Sequence, residues 1–205
     1  MIGIVDINMG NLRSVANAVY NLGFDPSLTK PGESLDEFSH LVLPGVGAFH
    51  TASERLREHG LNGAIRSFAA SGRPVLGICL GMQLLADQGE EGALTSGLGL
   101  IPGRVIRLEP GEGRRIPHVG WNNVTLRKQH PVFTDVKPGR DFYFVHSFHF
   151  APEDSDHICG VTEYGVNFCS VVARKNVLGL QFHPEKSQLN GMRLLEGFCR
   201  WSGEC

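Results

Sequence analysis

The sequence predicts an α/β fold: a doubly wound, mixed β-sheet with helices on both faces. Three observations lead there. The short apolar runs IGIVDI, HLVLP and PVLGI are the first, since apolar strands alternating with helical stretches are buried on both faces and joined by right-handed crossovers. The second is the 26 glycines in 205 residues, several of which bound these runs and mark tight turns. The third is a change of texture from Ile101 onward, to strands separated by turn signals, which reads as an antiparallel or mixed half.

In chain order, IGIVDI (2–7) reads as a buried strand. Leu12, Val15, Ala16, Val19 and Leu22 then recur at helical spacing before Gly23 stops the helix. HLVLP (40–44) is a second central strand, followed by a glycine turn and helical material over about 51–71, interrupted near Gly60. PVLGI (74–78) is the third, ending at Ile78 with a helix from near Leu80. Further strands follow in IPGRVIRLEPGEG, FYFVHSF, NFCSVVA and VLGLQFHP, and a last helix over 189–201 packs Leu194, Leu195 and Phe198. With no internal repeat, linker or low-complexity stretch, residues 1–205 are expected to form one domain.

Composition narrows the function. The net charge is −2, Lys and Arg are scattered apart from Arg114-Arg115, and no ladder of aromatic and basic residues suggests a nucleic-acid groove. The start, MIGIVDINMG, has no basic n-region and its apolar run stops at Asp6. Nothing approaches a membrane span, and a cytoplasmic location is expected. Cys79, Cys159, Cys169, Cys199 and Cys205 are odd in number and form no C-x-x-C pair, so neither a disulfide framework nor a zinc ribbon is expected. Neither G-x-S-x-G nor a Walker-type phosphate loop occurs, and no metal or cofactor is expected.

The cysteine in GICLG stands where a strand must turn at once into a helix. Gly77 and Gly81 remove side chains that would clash, and the spacing is that of a nucleophile elbow with sulfur for oxygen. Such a turn lifts the sulfur out of the sheet, and a helix start favours a thiolate and leaves backbone N–H groups free, one on Leu80. The competing reading is a small core residue, a common fate of free cysteine.

A thiolate nucleophile needs a proton carrier, and the chain has nine histidines. His183 ends an apolar strand in GLQFHPEKS, with Glu185 two residues on; on extended backbone both point to one side, so the carboxylate can hold the imidazole tautomer. Cys79, His183 and Glu185 are therefore a candidate triad, against the plainer reading of H-P-E as a surface turn. His146, His149 and His157 with Cys159 lack zinc-ligand spacing and are expected to be structural. His50, His59 and His130 are expected at the surface.

GICLGMQLL together with QFHPEKS resembles the class I (triad-type) glutamine amidotransferases. LPGVGAF, GLGLIPG, IPHVGWN and FYFVHSF resemble one branch of that family, the glutaminase subunits of imidazole glycerol phosphate synthase. The likeness runs over essentially the whole chain, in the family's motif order. It implies a flavodoxin-like sheet and hydrolysis of glutamine to glutamate and ammonia through a thioester on Cys79. His183 would take and return the proton, and Glu185 would orient it. The oxyanion would sit on the Leu80 N–H and an N–H of the Gly45-Val46 turn. Gln83 and Glu91 would contact glutamine, and the backbone of Ser147 and Phe148 would hold its α-carboxylate.

The same resemblance implies a partner. Ammonia would pass to a separate (β/α)₈-barrel cyclase subunit, in a heterodimer that makes imidazole glycerol phosphate and AICAR in histidine biosynthesis. Asn11, Trp121, Tyr143 and Lys186 match the partner-facing surface, with core packing as the competing reading for both aromatics. One departure stands out: Asp6-Ile7-Asn8 replaces the Asp-Tyr-Gly usual after the first strand. Related glutaminase subunits that feed sugar-modifying synthases in surface-polysaccharide synthesis are the alternative.

Overall fold

The computed structural model describes residues 1–137 and 139–204; Cys205 lies outside them. Its elements are β1 (Ile2–Ile4), α1 (Leu12–Asn21), β2 (Pro26–Leu28), β3 (His40–Gly45), α2 (Phe49–Glu58), α3 (Leu61–Ala70), β4 (Val75–Cys79) and α4 (Leu80–Leu84). The second half holds β5 (Gln88–Gly89), β6 (Thr95–Ser96), β7 (Gly103–Arg107), β8 (His118–Asn123), β9 (Thr125–Leu126), β10 (Asp141–His146) and β11 (Phe148–Pro152). It closes with β12 (Ile158–Glu163), β13 (Asn167–Arg174), β14 (Val177–Leu180) and α5 (Gln188–Arg200).

The main sheet has eight strands in the order β2-β1-β3-β4-β14-β13-β12-β9. The first five run parallel, and β13, β12 and β9 are added antiparallel beyond β14. This is the expected mixed, doubly wound sheet. Alternation along the strands splits its side chains between two cores. Val42, Leu76, Ile78, Leu178 and Leu180 pack with α1 and α5, whereas Leu41, Leu43, Val75 and Val177 pack with α2, α3 and α4. Gly60, at φ 67°, separates α2 from α3 where an interruption is expected.

Several elements depart from the sequence reading. The first strand ends at Ile4, because Asp6 Oδ1 accepts the Asn8 N–H at 2.7 Å and Asn8 turns the chain at φ 55°. The edge strand β2 is absent from the sequence reading, being only three residues and starting at proline. FYFVHSF is not one strand: it breaks at Ser147. β10 pairs with β8 in a two-stranded sheet, whereas β11 joins β7, β5 and β6 in another. The break is held by the Leu108 N–H, which donates to the Ser147 carbonyl at 2.9 Å.

Candidate active site

β4 ends at Cys79 and α4 begins at Leu80, so strand becomes helix without an intervening loop. The turn forces Cys79 to φ 54° and ψ −110°, a region that costs about 1–3 kcal/mol for a side-chain-bearing residue and clusters at functional sites. Two close approaches make it possible. A Cβ at position 77 would strike the Gly81 carbonyl, and one at position 81 would collide with the Leu43 carbonyl oxygen on β3. The thiol is nearly buried, with the Val145 carbonyl 3.7 Å from Sγ and the Gln181 Nε2 3.8 Å from it.

His183 lies just beyond β14 and is pinned from two sides. Its N–H donates to the Tyr143 carbonyl at 2.9 Å, and its own carbonyl accepts the Ser187 hydroxyl at 2.6 Å. Pro184–Lys186 forms a single 3₁₀ turn, which brings Glu185 Oε1 to 2.9 Å from His183 Nδ1. The pairing thus comes from a turn rather than from the extended backbone that the spacing suggests. Both side chains are buried, so H-P-E is no surface turn. Burial alone would lower the His183 pKa. The Cys79 sulfur and the Glu185 carboxylate outweigh burial through hydrogen bonding and negative charge, and push it up to about 9. Nε2 nevertheless meets no strict hydrogen-bond geometry, so the sulfur–imidazole contact is loose, as such contacts often are before substrate arrives.

Around this trio the structure gathers most of the other expected residues. Gln83 is no exposed helix residue: it is buried, and its Nε2 donates to the Phe148 carbonyl at 2.9 Å. Glu91 is no free loop charge, because its Oε2 accepts the Phe49 N–H at 2.8 Å at the start of α2. Ser147 and Phe148 sit at the crossing from β10 to β11. Gly45 is the register partner of Cys79 and packs against Leu80, so the turn with Val46 adjoins the elbow. Gly10 and Met9, just after the Asp6-Ile7-Asn8 departure, lie against Gly45 and Gly47 respectively.

The surface residues separate into two groups. Trp121 and Tyr143 face each other across β8 and β10 with ring centroids 6.0 Å apart, and Lys186 Nζ lies 5.7 Å above the Tyr143 ring. Trp121 is 48% exposed, which removes the core-packing reading for it; Tyr143 is half-buried. Asn11 stands at the start of α1, with no hydrogen bond or ring contact to these three among the described residues.

Sequence reasoning missed Gln181, fully buried between the thiol and Gln83. The available signal was a lone amide in the apolar run GLQF, at the i−2 position to His183. It also misjudged His130, which is buried rather than at the surface: its Nδ1 accepts the Val132 N–H at 3.3 Å and its ring meets Trp201 edge-on. His118 and His146 form a buried pair, Nδ1 to Nε2 at 3.0 Å, and His146 Nδ1 donates to the Phe148 carbonyl at 2.9 Å. Among the described residues no cluster of His, Cys, Asp or Glu is suited to a metal, and no helix is long and apolar enough to cross a membrane.

Comparison with known proteins identifies the family and the fold. The family model of the class-I glutamine amidotransferases matches residues 3–200. The HisH subunit of imidazole glycerol phosphate synthase from Sulfurimonas denitrificans is 46% identical over 98% of each chain. The HisH subunit from Desulfitobacterium hafniense is 45% identical over 100% of this chain and 96% of its own. Two solved structures share the fold at low identity. One is a crystal structure of a glutamine amidotransferase, with TM-score 0.75, 21% identity and 98% of each chain covered. The other is PurLQS from Thermotoga maritima, with TM-score 0.74, 22% identity, and 97% of this chain and 96% of that one covered. With a family match over residues 3–200 and relatives 45–46% identical along the whole chain, the protein belongs to the class-I glutamine amidotransferase family, among the HisH subunits of imidazole glycerol phosphate synthase.

Proposed function

We propose that the chain hydrolyses glutamine at Cys79 and delivers the ammonia to a cyclase subunit in histidine biosynthesis. The observation that carries this reading is the meeting of Cys79, on a strained strand-to-helix turn, with the buried His183–Glu185 pair. His183 Nε2 takes the thiol proton, and Sγ attacks the γ-amide carbon of glutamine. The proton returns to the departing nitrogen as ammonia leaves, and a thioester remains on Cys79. Water, deprotonated by His183, then releases glutamate. Glu185 holds the imidazole in the tautomer that keeps Nε2 toward sulfur, the arrangement of a triad.

Oxyanion stabilisation falls to the Leu80 N–H and an N–H of the Gly45-Val46 turn, the backbone lying next to Sγ. A preorganised donor of this kind contributes about 2.7–4 kcal/mol to the transition state. Gln83 and Glu91 contact the substrate, and the Ser147-Phe148 backbone receives its α-carboxylate. The partner is a (β/α)₈-barrel cyclase in a heterodimer located in the cytoplasm, contacted through Asn11, Trp121, Tyr143 and Lys186. The exposure of Trp121 beside Tyr143 and Lys186 supports that surface. The HisH names of the relatives favour histidine biosynthesis over a sugar-modifying synthase. A diazoketone analogue of glutamine tests the site: it labels Cys79 alone under this reading, and labelling of Cys159 or Cys169 instead contradicts it.

A further inference from the structure

Gln181 is 0% exposed and lies between Leu180 and Phe182, which are equally buried. A carboxamide in such a place costs free energy unless its polar atoms are bonded, and an apolar side chain would suit the packing better. Its bonds lead to the reacting atoms. Gln181 Oε1 accepts from Gln83 Nε2 at 3.3 Å, and Gln181 Nε2 donates to Cys79 Sγ at 3.8 Å.

The orientation of both amides is determined by their neighbours. Gln83 Nε2 also donates to the Phe148 carbonyl at 2.9 Å, and a carbonyl can only accept, so the Gln83 amide must present its nitrogen there. That nitrogen then requires an acceptor in Gln181, which leaves the Gln181 N–H facing sulfur. The Phe148 carbonyl is itself held by His146 Nδ1 at 2.9 Å, so the chain of bonds ends on a buried, fixed group. It runs from Phe148 through Gln83 and Gln181 to Sγ.

We infer that Gln181 is a positioning residue for the nucleophile: its N–H supports the Cys79 sulfur as an anion, and its carbonyl couples that sulfur to Gln83. The coupling to glutamine rests on the glutaminase reading above; the effect on sulfur does not. An N–H donor aimed at sulfur stabilises the thiolate that attacks and receives it again as it leaves the thioester. Binding of glutamine against Gln83 then tightens or loosens the same amide. His183 moves protons at this site, whereas Gln181 moves none and acts only by orientation and charge.

The test compares Gln181→Met, which keeps the length and removes the donor, with Gln181→Glu, which keeps the shape and replaces the donor by an acceptor. Alkylation of Cys79 by iodoacetamide is followed against pH by peptide mass, with thermal melting as the check on folding. Removal of the donor shifts the alkylation profile to higher pH and slows the reaction at pH 7.5 by about threefold to tenfold, with Gln181→Glu affected more. The KM for glutamine rises in Gln181→Met, where Gln83 loses its brace, and less in Gln181→Glu, whose carboxylate still accepts from Gln83 Nε2. Alkylation profiles that overlay that of the unaltered chain overturn the inference, whatever the melting temperatures. If neither variant folds, Gln83→Met releases the Gln181 amide from its other side and shifts the same profile; an overlay there overturns it equally. Absence of any glutamine turnover by the unaltered chain mixed with the substrate-loaded cyclase subunit, with the alkylation shift present, would sink the glutaminase reading and leave the support of sulfur standing.

Discussion

His183 Nδ1 and Glu185 Oε1 meet at 2.9 Å with both side chains out of water. Buried charge pairs are costly to assemble and costlier to break, because the remaining partner is left without compensation. Here the carboxylate also helps keep the imidazole pKa near 9 against the opposing effect of burial. Glu185→Gln therefore lowers the imidazole titration midpoint seen by NMR. It also lowers kcat for ammonia release by up to about 10⁴-fold, the scale on which a triad suffers when its orienting carboxylate is neutralised. An unchanged kcat would mean that Glu185 does not orient His183.

The elbow depends on a missing side chain. A Cβ at position 81 would collide with the Leu43 carbonyl oxygen on β3, and neither backbone segment can yield without moving β3 or α4. Gly81→Ala should destabilise the fold by about 3 kcal/mol or more, read from urea unfolding. Gly63→Ala is the control: inside α3, with nothing within 4 Å of the added carbon, it should stabilise by up to about 1 kcal/mol.

Buried neutral histidines make the fold sensitive to acid. Burial brings His146 down to about 3, and His118 and His130 to about 4. Each group binds its proton more readily when unfolded, so the stability it contributes is present above pH 6.5 and is lost as the pH falls below that value. For His146 alone the loss between pH 6.5 and pH 4 is about 3 kcal/mol. Urea midpoints measured across this window should fall steadily; a flat profile would contradict neutral burial of the pair.

Trp121 offers a surface test. It is 48% exposed and meets Tyr143 edge-on. Trp121→Ala should leave the melting temperature nearly unchanged while weakening association with the cyclase subunit by about 2 kcal/mol or more, the range of an aromatic hot spot. Calorimetric titration of the two subunits measures this, and unchanged affinity would remove Trp121 from the interface.

What was legible in the sequence follows from where the information is local. The G-x-C-x-G elbow could be read because its constraint lies within five residues, and the observed φ of 54° at Cys79 is what those glycines permit. The parallel strands could be read because burial on both faces leaves unbroken apolar runs. The split at Ser147 could not, since the strand-like pattern of FYFVHSF continues across a change of sheet decided by distant partners, Leu108 among them. Gln181 stayed hidden for a similar reason. Its partners, Cys79 and Gln83, are about a hundred residues away, and only the pairing of β14 with β4 brings them together.

The most direct test of the central claim is ammonia release from glutamine, measured for the chain alone and for the chain mixed with a histidine-pathway cyclase subunit holding its ribonucleotide substrate. The account predicts low release from the isolated chain, stimulation by orders of magnitude in the complex, and none with Cys79→Ala although that variant remains folded. Release that survives Cys79→Ala, or that the loaded cyclase leaves unchanged, would contradict it.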